Sequence, residues 1–430
     1  IGGGMIKIVV RAPVLSQSGY GEQARFALRA LRRHEDKFDI HLVNINWGRT
    51  GWISQDDEER QWIDYLLQKT MHYLNHAKEQ QQPPKFDMSL QVTIPNEWEK
   101  MAPYNVGYTA GIETTKVAPH WIEKAKLMDR IIVVSNHSKN VYDSTTYVAE
   151  NQAGDKIAFR NETPIDVVNY PVKSFETSDL GLNLETEFNF LSVAQWGPRK
   201  NMENLVRWWV EEFENDEVGL VLKGHGANCS TMDRQATFGR IKNLLSTLPS
   251  ERKCKVYLLH GSMSDQEMHS LYVDKNIKAL ASLTHGEGFG LPLFEAAYSA
   301  LPVICPGWSG QMDFLFCPVK RGKQKKAKNR PHFAKVDYSL APVQEFAVWE
   351  GVVQPDSMWC YADEKSFKKT IRDVYKSYNK YKNDAKRLQK HILTEFESDK
   401  IHDSFVSSVL KPLGLSLNTE QEKDELQVFG

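Results

Sequence analysis

Short apolar runs recur along the whole chain, each followed by a stretch of helical periodicity, and no other feature narrows the fold as far. In the first half the runs are Ile6–Val10, Asp39–Ile45, Met88–Ile94, Asn105–Ala110, Arg130–Ser135 and Ile165–Tyr170. In the second they are Asn189–Ala194, Gly219–Lys223, Lys255–His260, Lys278–Leu283 and Pro302–Cys305. Most are short and rich in Val, Ile and Leu, the pattern of parallel strands covered on both faces. Between them, Glu22–His34 repeats apolar residues at Ala24, Ala27, Leu28 and Leu31, and Asn201–Glu214 at Met202, Leu205, Trp209 and Phe213. Strand–helix alternation of this kind predicts a doubly wound α/β sheet, and its occurrence twice predicts two.

The length supports that division, because 430 residues are too many for one ordinary core. Two Rossmann-like α/β domains facing across a cleft are expected. The first spans residues 5–175 and the second 186–365, joined by the polar, acidic stretch Lys173–Glu187. Residues 366–417 read as charged helices that pack back on the first domain, and 418–430 as a polar tail. Ile1-Gly-Gly-Gly ahead of Met5 reads as a cloning remnant.

Charge and cysteine content exclude several classes. The formal net charge is −1, so the whole molecule has no electrostatic preference for nucleic acid or an anionic membrane. Five scattered cysteines without a C-x-x-C pair argue against a disulfide framework and a structural zinc site. No apolar run has membrane-spanning length, and no charged region followed by an apolar core marks a secretory signal. A cytoplasmic location, extending at most to the periphery of a membrane, is expected.

Chemistry concentrates in Leu283-Thr-His-Gly-Glu-Gly-Phe-Gly-Leu-Pro-Leu-Phe-Glu-Ala-Ala. The segment follows a strand, turns through Gly286, Gly288 and Gly290, and enters a helix with Pro292 near its start. Glycines allow close backbone approach to a ligand, and free N–H groups at a helix start favour anions. On this register Glu295 lies in the first turn, where its carboxylate can accept both hydroxyls of a ribose diol. Glu287 lies on the loop, at the carboxyl end of a strand where open α/β sheets bind ligands.

Two carboxylates eight positions apart around Gly-Phe-Gly-Leu-Pro resemble the Glu-x7-Glu signature of the family 4 glycosyltransferases, which adopt the GT-B fold. Ala300-Leu-Pro-Val-Ile-Cys-Pro and Ser309-Gly-Gln-Met-Asp-Phe-Leu resemble the strand and loop that follow it, with Ala300 replacing the usual glycine. The resemblance implies that the second domain binds a nucleotide sugar. Glu295 would hold the ribose, while Glu287 with the backbone of Phe289 and Gly290 would hold the sugar; Gly288 and Leu291 are donor-binding candidates of the same loop. His285 would reach the sugar or a phosphate, or else donate a hydrogen bond within the loop.

A diphosphate needs compensating charge. Ala194-Gln-Trp-Gly-Pro-Arg-Lys-Asn resembles the family's first-strand loop, in which an arginine and a lysine bind the diphosphate. Lys200 matches the lysine; Gln195 stands where the arginine is usual, and Arg199 is the substitute within reach. Lys223, directly after an apolar strand, is the second lysine candidate. In the first domain Gly19 and Gly21 would let the strand–helix loop approach the donor, although a simple turn accounts for them nearly as well. Gly107-Tyr-Thr-Ala-Gly-Ile-Glu-Thr-Thr resembles an acceptor-side segment, which singles out Glu113 and, beyond it, His120.

The resemblance implies a retaining transferase that needs neither a metal nor a cofactor beyond its nucleotide-diphosphate sugar donor. Diphosphate would depart from the face the acceptor attacks, and a phosphate oxygen would take the acceptor's proton. The partner is an acceptor hydroxyl on a glycan, a lipid or a nucleic acid. Lys320–Arg330, with seven Lys or Arg in eleven residues, is expected to be a solvated loop making at most a weak polyanion contact. Alternatives are a glycosyltransferase acting on modified bases in DNA and a non-catalytic nucleotide-sugar binding module. An NAD-dependent dehydrogenase ranks lower, because no G-x-G-x-x-G follows Ile6–Val10.

Overall fold

A computed structural model describes residues 4–417 except positions 49 and 54, so residues 1–3 of the expected cloning remnant and the expected polar tail 418–430 lie outside the described residues. The first half contains β1 (Ile6–Ala12), β2 (Phe38–Asn44), β3 (Met88–Val92), β4 (Tyr104–Tyr108), β5 (Arg130–Val133) and β6 (Ile165–Val167). They form one parallel sheet in the order β2-β1-β3-β4-β5-β6. The second half contains β7 (Phe188–Val193), β8 (Val218–Lys223), β9 (Lys255–Leu259), β10 (Ile277–Ala281), β11 (Val303–Pro306) and β12 (Ala334–Val336). These form a second parallel sheet, β9-β8-β7-β10-β11-β12. Every apolar run read from the sequence overlaps one of these strands, because both faces of each sheet are covered and few polar residues interrupt the runs.

In each sheet the order reverses once, and the reversal places two strand-end loops side by side at a crevice. In the second sheet it falls between β7 and β10, so the loop carrying Arg199 and Lys200 stands beside the loop carrying Glu287. This is the fold's main contribution to the site.

The helices of the first half are α1 (Gly19–Arg33), α2 (Glu58–Glu79), α3 (Pro119–Ala125) and α4 (Asn136–Ser144). Ser18 caps α1, its hydroxyl accepting from Gly21 N at 3.1 Å. Asp57 caps α2 by accepting from Arg60 N, which makes Asp56-Asp-Glu-Glu an acidic helix start. The second half adds α5 (Met202–Phe213), α6 (Thr231–Ser246), α7 (Asp265–Tyr272) and α8 (Leu291–Tyr298).

Three helices end the described chain: α9 (Glu364–Lys376), α10 (Tyr378–Glu395) and α11 (Ser398–Leu410). Helix α9 stays on the second half, where Arg372 Nε lies 2.8 Å from Glu212 Oε1 of α5. Helix α11 crosses to the first, with Phe405 5.3 Å from Phe26 of α1 and Asp403 paired to Arg33 at 3.0 Å. Residues 171–187 have neither helix nor strand, yet they are anchored. Val172 N donates to Phe396 O and Ser178 N to Ser270 Oγ. Among the described residues no helix is long and apolar enough to cross a membrane.

Three antiparallel ribbons have no counterpart among the apolar runs. Thr146–Glu150 pairs with Lys156–Arg160, Phe316–Val319 with Lys328–Pro331, and Tyr338–Pro342 with Met358–Ala362. Their exposed residues interrupt the hydrophobic pattern that marks the sheets. The second ribbon carries the basic stretch Lys320–Arg330 on its exposed turn and second strand. From the third, residues 343–357 reach across to the first half. There Asn96 Nδ2 donates to Gly351 O at 2.9 Å, Met358 N to Thr115 Oγ1 at 2.9 Å, and Lys116 pairs with Asp356 at 2.6 Å.

Candidate functional site

After β7 the chain makes a short 3-10 turn, Pro198–Lys200, which holds two consecutive cations. His285 N donates to Arg199 O at 2.8 Å and ties this turn to the glycine loop after β10. Glu287 is buried between them, with Oε1 2.6 Å from Lys200 Nζ and Oε2 2.9 Å from Arg199 Nη1. Its backbone is fixed as well: Glu287 N donates to Ser309 Oγ at 2.9 Å, and Gly310 N to Glu287 O at 2.9 Å. Ser309 takes a φ of 84°, a left-handed conformation that costs a non-glycine residue energy and that the surrounding bonds maintain.

Burial alone would raise the Glu287 carboxyl, but Arg199 and Lys200 outweigh it and hold its pKa at about 2. Burial lowers the Lys200 pKa, and neighbouring Arg199 lowers it further against the pull of Glu287. Arg199 moves upward despite burial, because Glu287 and Glu113 both favour its charge. Glu113 comes from the first half; burial raises its pKa, and Arg199 offsets part of the rise. The cluster therefore gathers Arg199 and Lys200 around Glu287, with Glu113 facing Arg199 from the first half.

The halves touch at this point. A Cβ on Gly286 would lie 2.0 Å from Glu113 O, and one on Gly288 3.0 Å from Gly111 N. Those glycines serve the contact between halves. Gly290, at φ 95°, starts α8 in a conformation that side chains resist. Phe289 is core, 5.1 Å from Tyr170 of the first half and 4.9 Å from Phe314. Leu291 is half-buried and lines the cavity beside Glu295.

Several expected residues lie elsewhere. Glu295 is the fifth residue of α8, in its second turn rather than its first, because the helix begins at Leu291. It faces a cavity of about 110 Å³ between the halves, shared with Glu22, Lys173 and Asp265, not the Glu287 cluster. Burial pushes its carboxyl up to about 8; Lys173 offsets part of this, while Asp265 and Glu22 add to it. The cavity adjoins an open depression of about 630 Å³ that shares Lys173, Phe175 and Asp265 with it.

His285 is stacked on Trp359 at 5.1 Å, with Nδ1 2.7 Å from Cys360 O, so its ring belongs to the third ribbon's packing. His120 is exposed on α3, 3.3 Å from Glu123, and it is its neighbour Trp121 that turns inward to the chamber wall. Lys223 is buried at the end of β8, donating to Gly261 O at 2.6 Å. Gln195 is exposed and donates to Gly226 O at 3.0 Å. Gly21 is demanded by packing, since a Cβ there would fall 1.9 Å from Ser16 O; Gly19 is open on that side.

The sequence reading missed Ser309 as the clamp on Glu287. It also missed Asp313, whose Oδ2 accepts from Asn136 N at 2.9 Å and Asn169 Nδ2 at 3.0 Å of the first half. A third omission is a chamber of about 270 Å³ lined by Tyr20, Trp47, Trp121, Trp349 and Trp359, with Glu113 and Arg199 in its wall. The clustering of Trp349 and Trp359 in one short segment was the available signal. Among the described residues no group of three His, Cys, Asp or Glu is disposed to hold a metal ion.

Residues 175–322 match the family model described as Glycosyl transferases group 1. The fold is similar to that of sucrose-phosphate synthase from Thermosynechococcus elongatus, with a TM-score of 0.60 and 12% identity over 95% of this chain and 99% of that one. It is similar also to Anabaena HepE in complex with UDP and glucose, with a TM-score of 0.54 and 13% identity over 94% of this chain and 100% of that one. With the pneumococcal O-GlcNAc transferase GtfA, bound to UDP and GlcNAc, the identity is 14% over 76% of this chain and 57% of that one, at a TM-score of 0.47. A search of curated proteins gave no match.

Proposed function

We propose that this chain, a glycosyltransferase of GT-B fold, is a retaining, metal-independent enzyme of the family 4 type that transfers a sugar from a uridine-diphosphate donor to an acceptor hydroxyl. The observation that carries the reading is the buried pairing of Glu287 with both Arg199 and Lys200 at the loop crevice of the half that matches the family model. Two adjacent cations beside one ionised carboxylate leave a positive excess that suits a diphosphate. Arg199 supplies the second cation that Gln195 lacks. HepE, similar in fold, is bound to UDP and glucose, which is the basis for naming the uridine nucleotide.

In this reading the diphosphate lies against Arg199, Lys200 and the N–H groups at the start of α8, with Lys223 assisting from β8. Glu287 takes the sugar hydroxyls, and Glu295 the ribose beside the wide depression that would admit the nucleoside. Gly19 stands on the opposite wall. The bond from the sugar's anomeric carbon to the diphosphate oxygen breaks as the acceptor oxygen bonds that carbon from the same face. The acceptor's proton passes to the departing phosphate oxygen, so the products are glycosylated acceptor and nucleoside diphosphate. The protein contributes positioning and stabilisation of the leaving charge.

The test is a thermal-shift screen of nucleotide sugars followed by NMR of the product's anomeric linkage. A uridine-diphosphate sugar should raise the melting temperature, and the linkage should keep the donor's configuration. If no nucleotide sugar stabilises the protein, the reading fails; an inverted linkage removes the retaining assignment alone.

A further inference from the structure

Beside the Glu113–Arg199 contact the two halves enclose the chamber of about 270 Å³, and Trp47 in its wall also lines a neighbouring pocket of about 240 Å³ with Asn44 and Trp52. Five of the eleven tryptophans of the chain line this pair of spaces. Such a share is far above chance for residues that otherwise fill cores. We infer that the two spaces form one groove for a neutral oligosaccharide acceptor, with one ring in each. The inference rests on the donor reading for its purpose, and on the groove's own chemistry for its ligand.

The indole N–H groups of two walls are occupied within the protein: Trp121 Nε1 donates to Asn96 Oδ1 at 2.7 Å and Trp359 Nε1 to Gln344 Oε1 at 3.0 Å. With those N–H groups occupied, what the rings have left to offer a ligand is π-surface, which attracts the slightly positive C–H face of a pyranose. Polar groups stand among the rings. Glu113 and Arg199 line the inner chamber, where an acceptor hydroxyl would point at the donor. Asn44 lines the outer pocket, and its buried Oδ1 has no hydrogen-bond partner among the described residues; a ligand hydroxyl that reached it would satisfy it. Each space is just below the usual size of a pocket for a drug-sized ligand, roughly 300–1,000 Å³, and suits a single ring. An alkyl chain would leave Asn44 unpaired and place Glu113 against hydrocarbon.

The inner chamber is completed by the segment between the strands of the third ribbon, which supplies Trp349 and Val353. Trp349 is 54% exposed, so its ring is free to meet a ligand. Acceptor choice would therefore depend on a segment of the second half docked on the first through Asn96 and Gly351.

A glycan array probed with the full chain in saturating UDP tests this. A subset of neutral oligosaccharides should be retained, and Trp349→Ala and Trp47→Ala should each weaken retention roughly three- to tenfold, the loss of one aromatic contact. Trp349→Phe should restore most of it, and the thermal shift with UDP verifies that each variant is folded. Retention of no glycan by a protein that binds UDP overturns the groove and leaves the donor reading standing. Retention indifferent to both tryptophans, or a stronger response to dodecanol than to any glycan, overturns it too. Glycan retention without UDP binding would overturn the donor reading instead.

Discussion

Glu113 of the first half and Arg199 of the second face each other across the cleft, with Oε1 3.8 Å from Nε. Arg199 also bonds Glu287 and the Gly286 carbonyl, so a single guanidinium links the aromatic chamber to the cation pair. One guanidinium thus contacts a carboxylate on each side of the cleft.

Lys200→Ala removes one partner of a buried carboxylate and should cost about 3 kcal/mol of stability as well as donor affinity. The paired change Lys200→Met with Glu287→Gln removes the stranded carboxylate but also the one that Arg199 bonds, so it should recover only part of the stability and none of the donor binding. Urea denaturation and calorimetry with UDP separate the two effects. Equal donor affinity in wild type and Lys200→Ala would remove Lys200 from the site.

Glu295 gives a pH signature. Its folded pKa of about 8 lies above the ordinary carboxylate value, so its contribution to stability is complete below about pH 4.5 and is lost as pH rises through 8. The ligand-free protein should therefore lose melting temperature between about pH 4.5 and 8, and Glu295→Gln should flatten that slope. If the ionised form holds the ribose, donor affinity should rise as pH passes through about 8, in wild type only. Parallel melting curves for the two proteins would contradict the assignment.

Gly286→Ala should hold the halves apart, because the added carbon would sit 2.0 Å from the Glu113 carbonyl. The expected outcome is a larger radius of gyration by small-angle scattering and turnover reduced at least tenfold, with UDP still bound. Unchanged scattering and turnover would mean that the loop yields without opening the cleft.

The basic ribbon is exposed and distant in character from the cluster. Replacing Lys323, Lys325 and Lys326 with Gln should leave the melting temperature within a degree or two. If the ribbon makes a weak electrostatic contact with an anionic acceptor, the same change should flatten the salt dependence of turnover on it. An unaltered salt dependence would assign the ribbon to solvent alone.

The strands of both sheets, the helices Glu22–His34 and Asn201–Glu214, and the loop bearing Glu287 were legible in the sequence. Buried parallel strands and amphipathic helices write their covered faces into local periodicity, and glycines with proline mark a strand-to-helix turn. Even there Glu295 fell one turn late, since a helix start depends on cap geometry more than on pattern. What only the tertiary structure decided is which loops meet. Arg199 finds Glu113 across 86 positions of sequence, His285 turns to Trp359, and His120 points to solvent while Trp121 lines the chamber. These outcomes follow from the closure of two separately folded sheets upon each other and from the segment 343–357 that spans them. Contacts of that range leave no period in the chain, because each loop residue is placed by a partner that the local sequence does not contain.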